Sequence, residues 1–176
     1  MNGLDVIARI VLRDPAVQAT LAGAGVVLVV AGWLVGRRRG WPGWRCATSA
    51  LAGAGTALVL ATTLARSGGP LELGRGCLLS PGLSLASPEA RLNVLLFVPL
   101  ALFATLASGR WWAVVLACVA LSAGIEAVQS VAGTGVCQSS DVLRNGLGAL
   151  AGAMLGETSR TVVAGAVRLR RSAPRG

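Results

Sequence analysis

The chain has 176 residues, of which 54% are hydrophobic and 13% charged, against about 25% charged in an ordinary soluble domain. It carries 16 basic and 7 acidic residues, a formal net charge of +9, and no histidine, which excludes a histidine general base and a histidine-ligated metal. A pI near 11.5 in a soluble chain points to nucleic acid, but here the arginines gather at the ends of apolar runs, so the chain reads as a single-domain integral membrane protein with no nucleic-acid partner.

Residues 1–16 form a lead-in that mixes Asp5, Arg9, Arg13 and Asp14 with Val6, Ile7, Ile10, Val11 and Leu12. No cleavable signal is expected there, because an h-region and a small-residue cleavage site do not follow in order. Residues 17–36 and 46–65 are each long and apolar enough to cross a bilayer, which takes about 20 helical residues. Between them lies a basic turn, 37–45, with Arg37, Arg38, Arg39 and Arg45. A Gly/Pro/Ser-rich loop follows at 66–90, in which Arg66 and Arg75 are offset by Glu72 and Glu89. The third span is predicted at 92–108, the fourth at 111–131 after a short turn holding Arg110, and a fifth at 142–159. Glu157 and Arg160, three apart on one face, are placed to pair at the far end of the fifth span, beyond which the helix leaves the membrane. Residues 168–176 form a basic tail with Arg168, Arg170, Arg171 and Arg175. The fold class is therefore all-α, a polytopic membrane helical bundle of five spans. The two N-terminal spans occupy 17–65 and the chemistry-bearing core 91–167. The LAGAG repeat at 21–25 and 51–55 reads as coincidence in so Ala/Gly-rich a chain.

Positive-inside bias places 37–45, Arg110 and the tail in the cytoplasm, with the N-terminus, 66–90 and 132–140 outside. Trp33, Trp41, Trp44, Trp111 and Trp112 all fall at the predicted inner interface and read as an anchoring belt. Cys77 and Cys137 fall in exterior loops, where disulfides persist, so a Cys77–Cys137 bridge is expected; Cys46 and Cys118 lie at or within the bilayer and should stay free. The spacings contain no Cys pair suited to a metal and imply no cofactor.

Against this apolar background the polar residues stand out. A carboxylate near lipid costs roughly 2.5–3.5 kcal/mol on insertion scales. Asn93 opens the third span next to Arg91. Glu126 and Gln129 share a face near the outer end of the fourth. Asp141 and Asn145 lie one turn apart at the start of the fifth, beside Arg144. All fall within about two helical turns of the outer surface, so one shared recess is geometrically possible. The stripe continues as Gly148, Gly152 and Gly156, whose spacing lets another helix approach closely. The third or fourth span is the expected partner, and a homodimer through the same glycines is the other use of such a stripe. Pro99 should kink the third span or free a carbonyl near Leu95. The structural reading stays open beside the functional one: Asp141 as a helix cap, Glu126 as an ion-pair partner of Arg91 or Arg144, and the amides as interhelical glue.

Three ordered blocks, Asn93-Val-Leu-Leu-Phe97-Val-Pro99-Leu, Glu126-Ala-Val-Gln129 and Asp141-Val-Leu-Arg-Asn145-Gly-Leu-Gly148, resemble the VanZ-like family of small bacterial membrane proteins over about residues 91–156. The chain departs from that pattern in having no Arg or Asp in Gly135-Val-Cys-Gln-Ser-Ser before Asp141, so Arg91 or Arg144 is the candidate substitute. The resemblance implies a multi-pass protein of the bacterial cell membrane. Its namesake is associated with low-level resistance to teicoplanin, a lipid-bearing glycopeptide acting at the outer face of the cell membrane.

The function expected is that of a non-enzymatic protein with an outer-leaflet polar pocket for a lipoglycopeptide or a lipid-linked cell-wall intermediate. Glu126 and Asp141 take cationic or hydroxyl groups, Asn93, Gln129 and Asn145 orient the ligand, and Arg91 or Arg144 holds phosphate or carboxylate. Two alternatives remain: a membrane enzyme using Glu126 and Asp141 as an acid/base pair, and a small transporter, against which the shallow placement of the polar residues argues.

Overall fold

The computed structural model describes residues 13–64, 83–132 and 139–172, and these form five helices. They are α1 (Pro15–Arg38), α2 (Gly43–Leu64), α3 (Pro88–Ser108), α4 (Trp111–Ala132) and α5 (Ser139–Ser172). Among the described residues there is no strand. The expected Cys77–Cys137 bridge lies outside the described residues, as do most of the lead-in and most of the 66–90 loop. Cys46 and Cys118 are free and buried.

Helix ends follow capping chemistry more closely than hydropathy. The Asp14 carboxylate accepts from the backbone N–H of Ala16 at 2.9 Å and Val17 at 3.4 Å, with Pro15 in the first helical position. The Ser87 hydroxyl accepts from the Ala90 N–H at 3.1 Å, again followed by proline. Both starts supply an acceptor to orphan donors and a pre-set φ. For this reason α1 and α3 begin earlier than the apolar runs predicted from 17 and 92; α2 and α5 also begin before the predicted 46 and 142. Residues 88–90, read as loop, belong to α3. α5 also runs to Ser172, past 159, and takes in the start of the segment read as a tail. Pro99 sits inside α3 without ending it.

α1 ends in a Schellman turn: Trp41 N–H donates to the Gly36 carbonyl and Gly40 N–H to the Arg37 carbonyl, each at 3.0 Å. Gly40 carries φ +66°, a conformation other residues adopt only with strain. The tight turn returns the chain as α2, which packs against α1. Gly53 lies against the Leu28 carbonyl and Gly32 against that of Ser49. α2 passes the contact on to α3 through Gly55, which lies against Leu100.

The closest pair is α3 and α5. Gly148 meets the Val94 carbonyl, Gly152 that of Val98, and Gly156 meets Leu102 and Thr105. Equal steps of four on both helices mean that the two run parallel in a fixed register. The glycine stripe thus packs on the third span, one of the two partners expected. A homodimer through Gly148, Gly152 and Gly156 would need a face that α3 already covers. α4 fills in against α5 and, less extensively, α3 and α2. The apolar core sits among α2, α3, α4 and α5, with Val59, Phe97, Leu100, Cys118, Ile125 and Ala153 inside it.

Four described helices, α1 to α4, are long and apolar enough to cross a membrane. α5 falls short on average composition, and its arrangement explains why. Asn145, Gly148, Ala149, Gly152, Ala153 and Gly156 are buried, while Leu143, Leu147, Leu150, Met154 and Leu155 are exposed. The helix turns its small and polar side inward and leaves leucine for the lipid. At about 1.5 Å per residue its 34 residues are more than a hydrocarbon core of about 30 Å requires.

Candidate functional site: a polar layer above the core

Three helices each carry a polar residue one turn beyond an apolar core residue. Phe97, Ile125 and Ala149 belong to the apolar core. One turn further toward the end where α5 begins, the same faces present Asn93 on α3, Gln129 on α4 and Asn145 on α5. Side chains four apart on a helix share a face; the Val94–Gly148 contact and the Asn145–Ser122 bond set Asn93, Asn145 and Ser122 in one layer over the core, with Gln129 about two turns farther out on α4.

The firmest link in that layer joins α4 to α5. The Asn145 Nδ2 donates to the Ser122 hydroxyl at 2.7 Å, with Asn145 6% exposed and Ser122 fully buried. This bond fixes the antiparallel register. One turn outward on α4 stands Glu126, and one turn outward on α5 stands Asp141, so the two carboxylates face the same level. Glu126 is 8% exposed. Asp141 lies in the first turn of α5, where the helix dipole favours an anion, and its carboxylate pairs with the Arg144 guanidinium at 2.7 Å. The Asn145 Oδ1 is buried and accepts no hydrogen bond. Amide oxygen and nitrogen are assigned by their partners, so turning the group over leaves its nitrogen unpaired instead. Either way one strong polar atom is left buried and unsatisfied, at a cost of about 1–3 kcal/mol.

The predicted residues divide into two sets. Glu126, Asp141, Arg144 and Asn145 lie within about two turns of the adjoining ends of α4 and α5. Asn93 stands half-buried on α3 in the same layer and makes no hydrogen bond among the described residues. Gln129 has a different use: its Nε2 donates to the Thr63 carbonyl at 2.8 Å, tying α4 to the end of α2. Arg91 is exposed, and its guanidinium folds back on the carbonyls of Ser87 and Ala86 at 3.4 and 3.2 Å. It therefore serves the start of α3, while Arg144 pairs with Asp141 in the first turn of α5. Sequence reasoning missed Ser122, although a hydroxyl four residues before Glu126 in an apolar helix was a signal available to it. It also missed that α2 reaches this level through Thr63. Among the described residues no group of His, Cys, Asp and Glu is disposed to hold a metal ion.

The opposite end is tied down differently. Arg45 Nε donates to the Ala107 carbonyl at 2.7 Å, and the Arg160 guanidinium lies against Gly109, the left-handed cap of α3. Two cations thus meet the negative end of the α3 dipole. Arg160 also pairs with Glu157 at 2.7 Å, the pairing that the spacing suggested.

Over residues 25–160 the chain matches the VanZ/LLP1 family. No curated protein matches it, and no solved structure does.

Proposed function

We propose that this chain, which belongs to the VanZ/LLP1 family, is a non-enzymatic membrane protein that binds the polar head of an amphipathic ligand. The site is the recess at the extracytoplasmic ends of α3, α4 and α5. The ligand class is a lipoglycopeptide of the teicoplanin type or a lipid-linked cell-wall intermediate, both of which present hydroxyl, amide and charged groups just above the acyl region. The N-terminus lies outside and the C-terminus in the cytoplasm. That orientation is supported by Arg37, Arg38, Arg39, Arg45 and Arg110 at the end opposite the recess.

The observation that carries this reading is the buried Asn145 Oδ1, which accepts no hydrogen bond, about one helical turn inward of Glu126 and Asp141. A ligand hydroxyl or amide at that point completes the hydrogen bonding of Asn145, and the Glu126 carboxylate accepts from a second donor. Ser122 holds the Asn145 side chain from behind. Asp141 and Arg144 form the half-buried rim, where their charges orient a polar head. Asn93 supplies a further amide from α3.

The test is binding of a fluorescent lipoglycopeptide to the protein in nanodiscs, together with protection of cysteines introduced at 93, 126 and 141 from an impermeant maleimide. The reading expects Asn145→Leu and Glu126→Gln each to weaken binding about tenfold or more, the effect of one lost hydrogen bond to a charged or buried group. Binding unchanged in the double variant sinks the site assignment. Turnover of a lipid-linked substrate that disappears in Glu126→Gln and Asp141→Asn replaces the binding role with an enzymatic one.

A further inference from the structure

The basic end holds two arginines leaning on one indole, with no acid among them. Arg39 and Arg45 place their guanidinium carbons 5.4 and 4.6 Å from the centroid of the Trp41 ring. The Schellman turn sets Trp41, and the Ala107 carbonyl holds Arg45 by its Nε, so the arrangement is built before any ligand arrives. Like charges gathered on one ring repel each other, and the repulsion grows near a low-dielectric phase. In most such clusters a carboxylate offsets it. Here the ion pairs among the described residues are Arg144–Asp141 at the other end and Arg160–Glu157; the latter lies at this end beside Gly109 but leaves Arg39 and Arg45 without a carboxylate of their own. The remaining described acids, Asp14, Glu89 and Glu126, lie toward the other end of their helices.

The depth of the turn indicates where a counter-charge would come from. Trp33, Trp44, Trp111 and Trp112 are all exposed at this end, and exposed tryptophans of a membrane protein settle at the headgroup level. Anions at that level are lipid phosphates. Arginine suits a phosphate better than a simple point charge does, because its fork donates two parallel hydrogen bonds. Bonding through Nε leaves both terminal amino groups of Arg45 to form such a fork.

We propose that the turn at residues 36–45 is a binding site for the phosphate of an anionic phospholipid, gripped by Arg39 and Arg45 around Trp41. Because Arg45 also holds the C-terminal end of α3, the bound lipid braces the α1–α2 hairpin against the rest of the bundle. This site is at the opposite end from the recess and does not depend on what the recess binds.

The test is lipid occupancy by native mass spectrometry of the full chain released from detergent, titrated with dioleoylphosphatidylglycerol, with dioleoylphosphatidylcholine, and with inorganic phosphate. The site predicts retained phosphatidylglycerol at substoichiometric lipid and neither of the other two. Arg39→Gln, whose side chain makes no hydrogen bond to the protein, should weaken phosphatidylglycerol retention about tenfold, and Arg45→Gln at least as much. Arg110→Gln, an exposed arginine at the same end outside the cluster, should change it less than about twofold. Circular dichroism checks folding; should Arg45→Gln unfold, Arg39→Gln alone decides. Equal loss in Arg39→Gln and Arg110→Gln would reduce the site to diffuse surface charge and overturn the proposal. So would equal retention of the phosphatidylcholine, or retention of inorganic phosphate in place of lipid.

Discussion

Two helix pairs in this protein approach through glycine, and they differ in everything else. α1 and α2 form an antiparallel hairpin whose outward side is Val26, Val27, Val30, Leu34 and Leu51, all exposed. The first helix buries only Val17 and Gly36. α3 and α5 run parallel, bury far more of their surface, and bear the polar layer at one end. Close backbone approach therefore does not by itself mark a functional region. In the hairpin it anchors a peripheral element in lipid. In α3–α5 it draws a helix that is too polar for lipid on one side into a position where that side is covered.

The comparison can be broken most forcefully at Gly148 and Gly152. A Cβ at either meets a carbonyl of α3 well inside van der Waals contact, so Gly152→Val should destabilise the bundle by about 1–3 kcal/mol or more. That loss would appear as a lowered Tm in detergent and as lost ligand binding. Gly53→Ala, which meets the Leu28 carbonyl, should lower stability comparably while leaving the affinity of the recess within about twofold, because the Asn145 amide bonds Ser122 of α4 and not the hairpin. If both substitutions abolish binding equally, the two pairs are not separable and the contrast drawn here is lost.

A smaller effect is expected at Ser122. Ser122→Ala leaves the buried Asn145 amide with no protein partner and should cost about 1–3 kcal/mol. Ser122→Ala combined with Asn145→Leu should recover part of that stability but no binding. Gln129→Leu removes the bond to Thr63 and should cost about 1 kcal/mol, read as easier separation of the hairpin in limited proteolysis. Smallest of all, Gly124→Ala and Gly23→Ala meet nothing within 4 Å and should be neutral or stabilising by up to about 1 kcal/mol through helix propensity. A large loss there would mean that glycine in this chain serves flexibility rather than packing.

Much of the site was legible because it violates the composition around it. Glu126, Asp141, Asn145 and Arg144 are conspicuous in a sequence of alanine, valine, leucine and glycine, and all four lie within about two turns of the adjoining ends of α4 and α5. Gln129 and Arg91 were equally conspicuous and went elsewhere. A polar side chain near a helix end has several backbone carbonyls in reach, and composition does not say which it takes. Ser122 was missed for the opposite reason: a small hydroxyl in an apolar helix normally bonds its own backbone, and only the approach of Asn145 gives it another partner. The helix boundaries erred in a similar way. Asp14, Ser87 and their following prolines fix the starts of α1 and α3 by local hydrogen bonding, which a hydropathy window does not register.

By itself the sequence determined the number of helices, their order, their lipid-facing character and the family motifs, because each of those follows from local chemistry repeated along one segment. The parallel register of α3 with α5, the level alignment of Glu126 with Asp141, and the reach of α2 to Gln129 were decided only in three dimensions. Each of these joins residues far apart in the chain through contacts that the intervening sequence does not encode. The physical reason is that glycine only permits close approach; which helix accepts the offer depends on how every other face is already occupied.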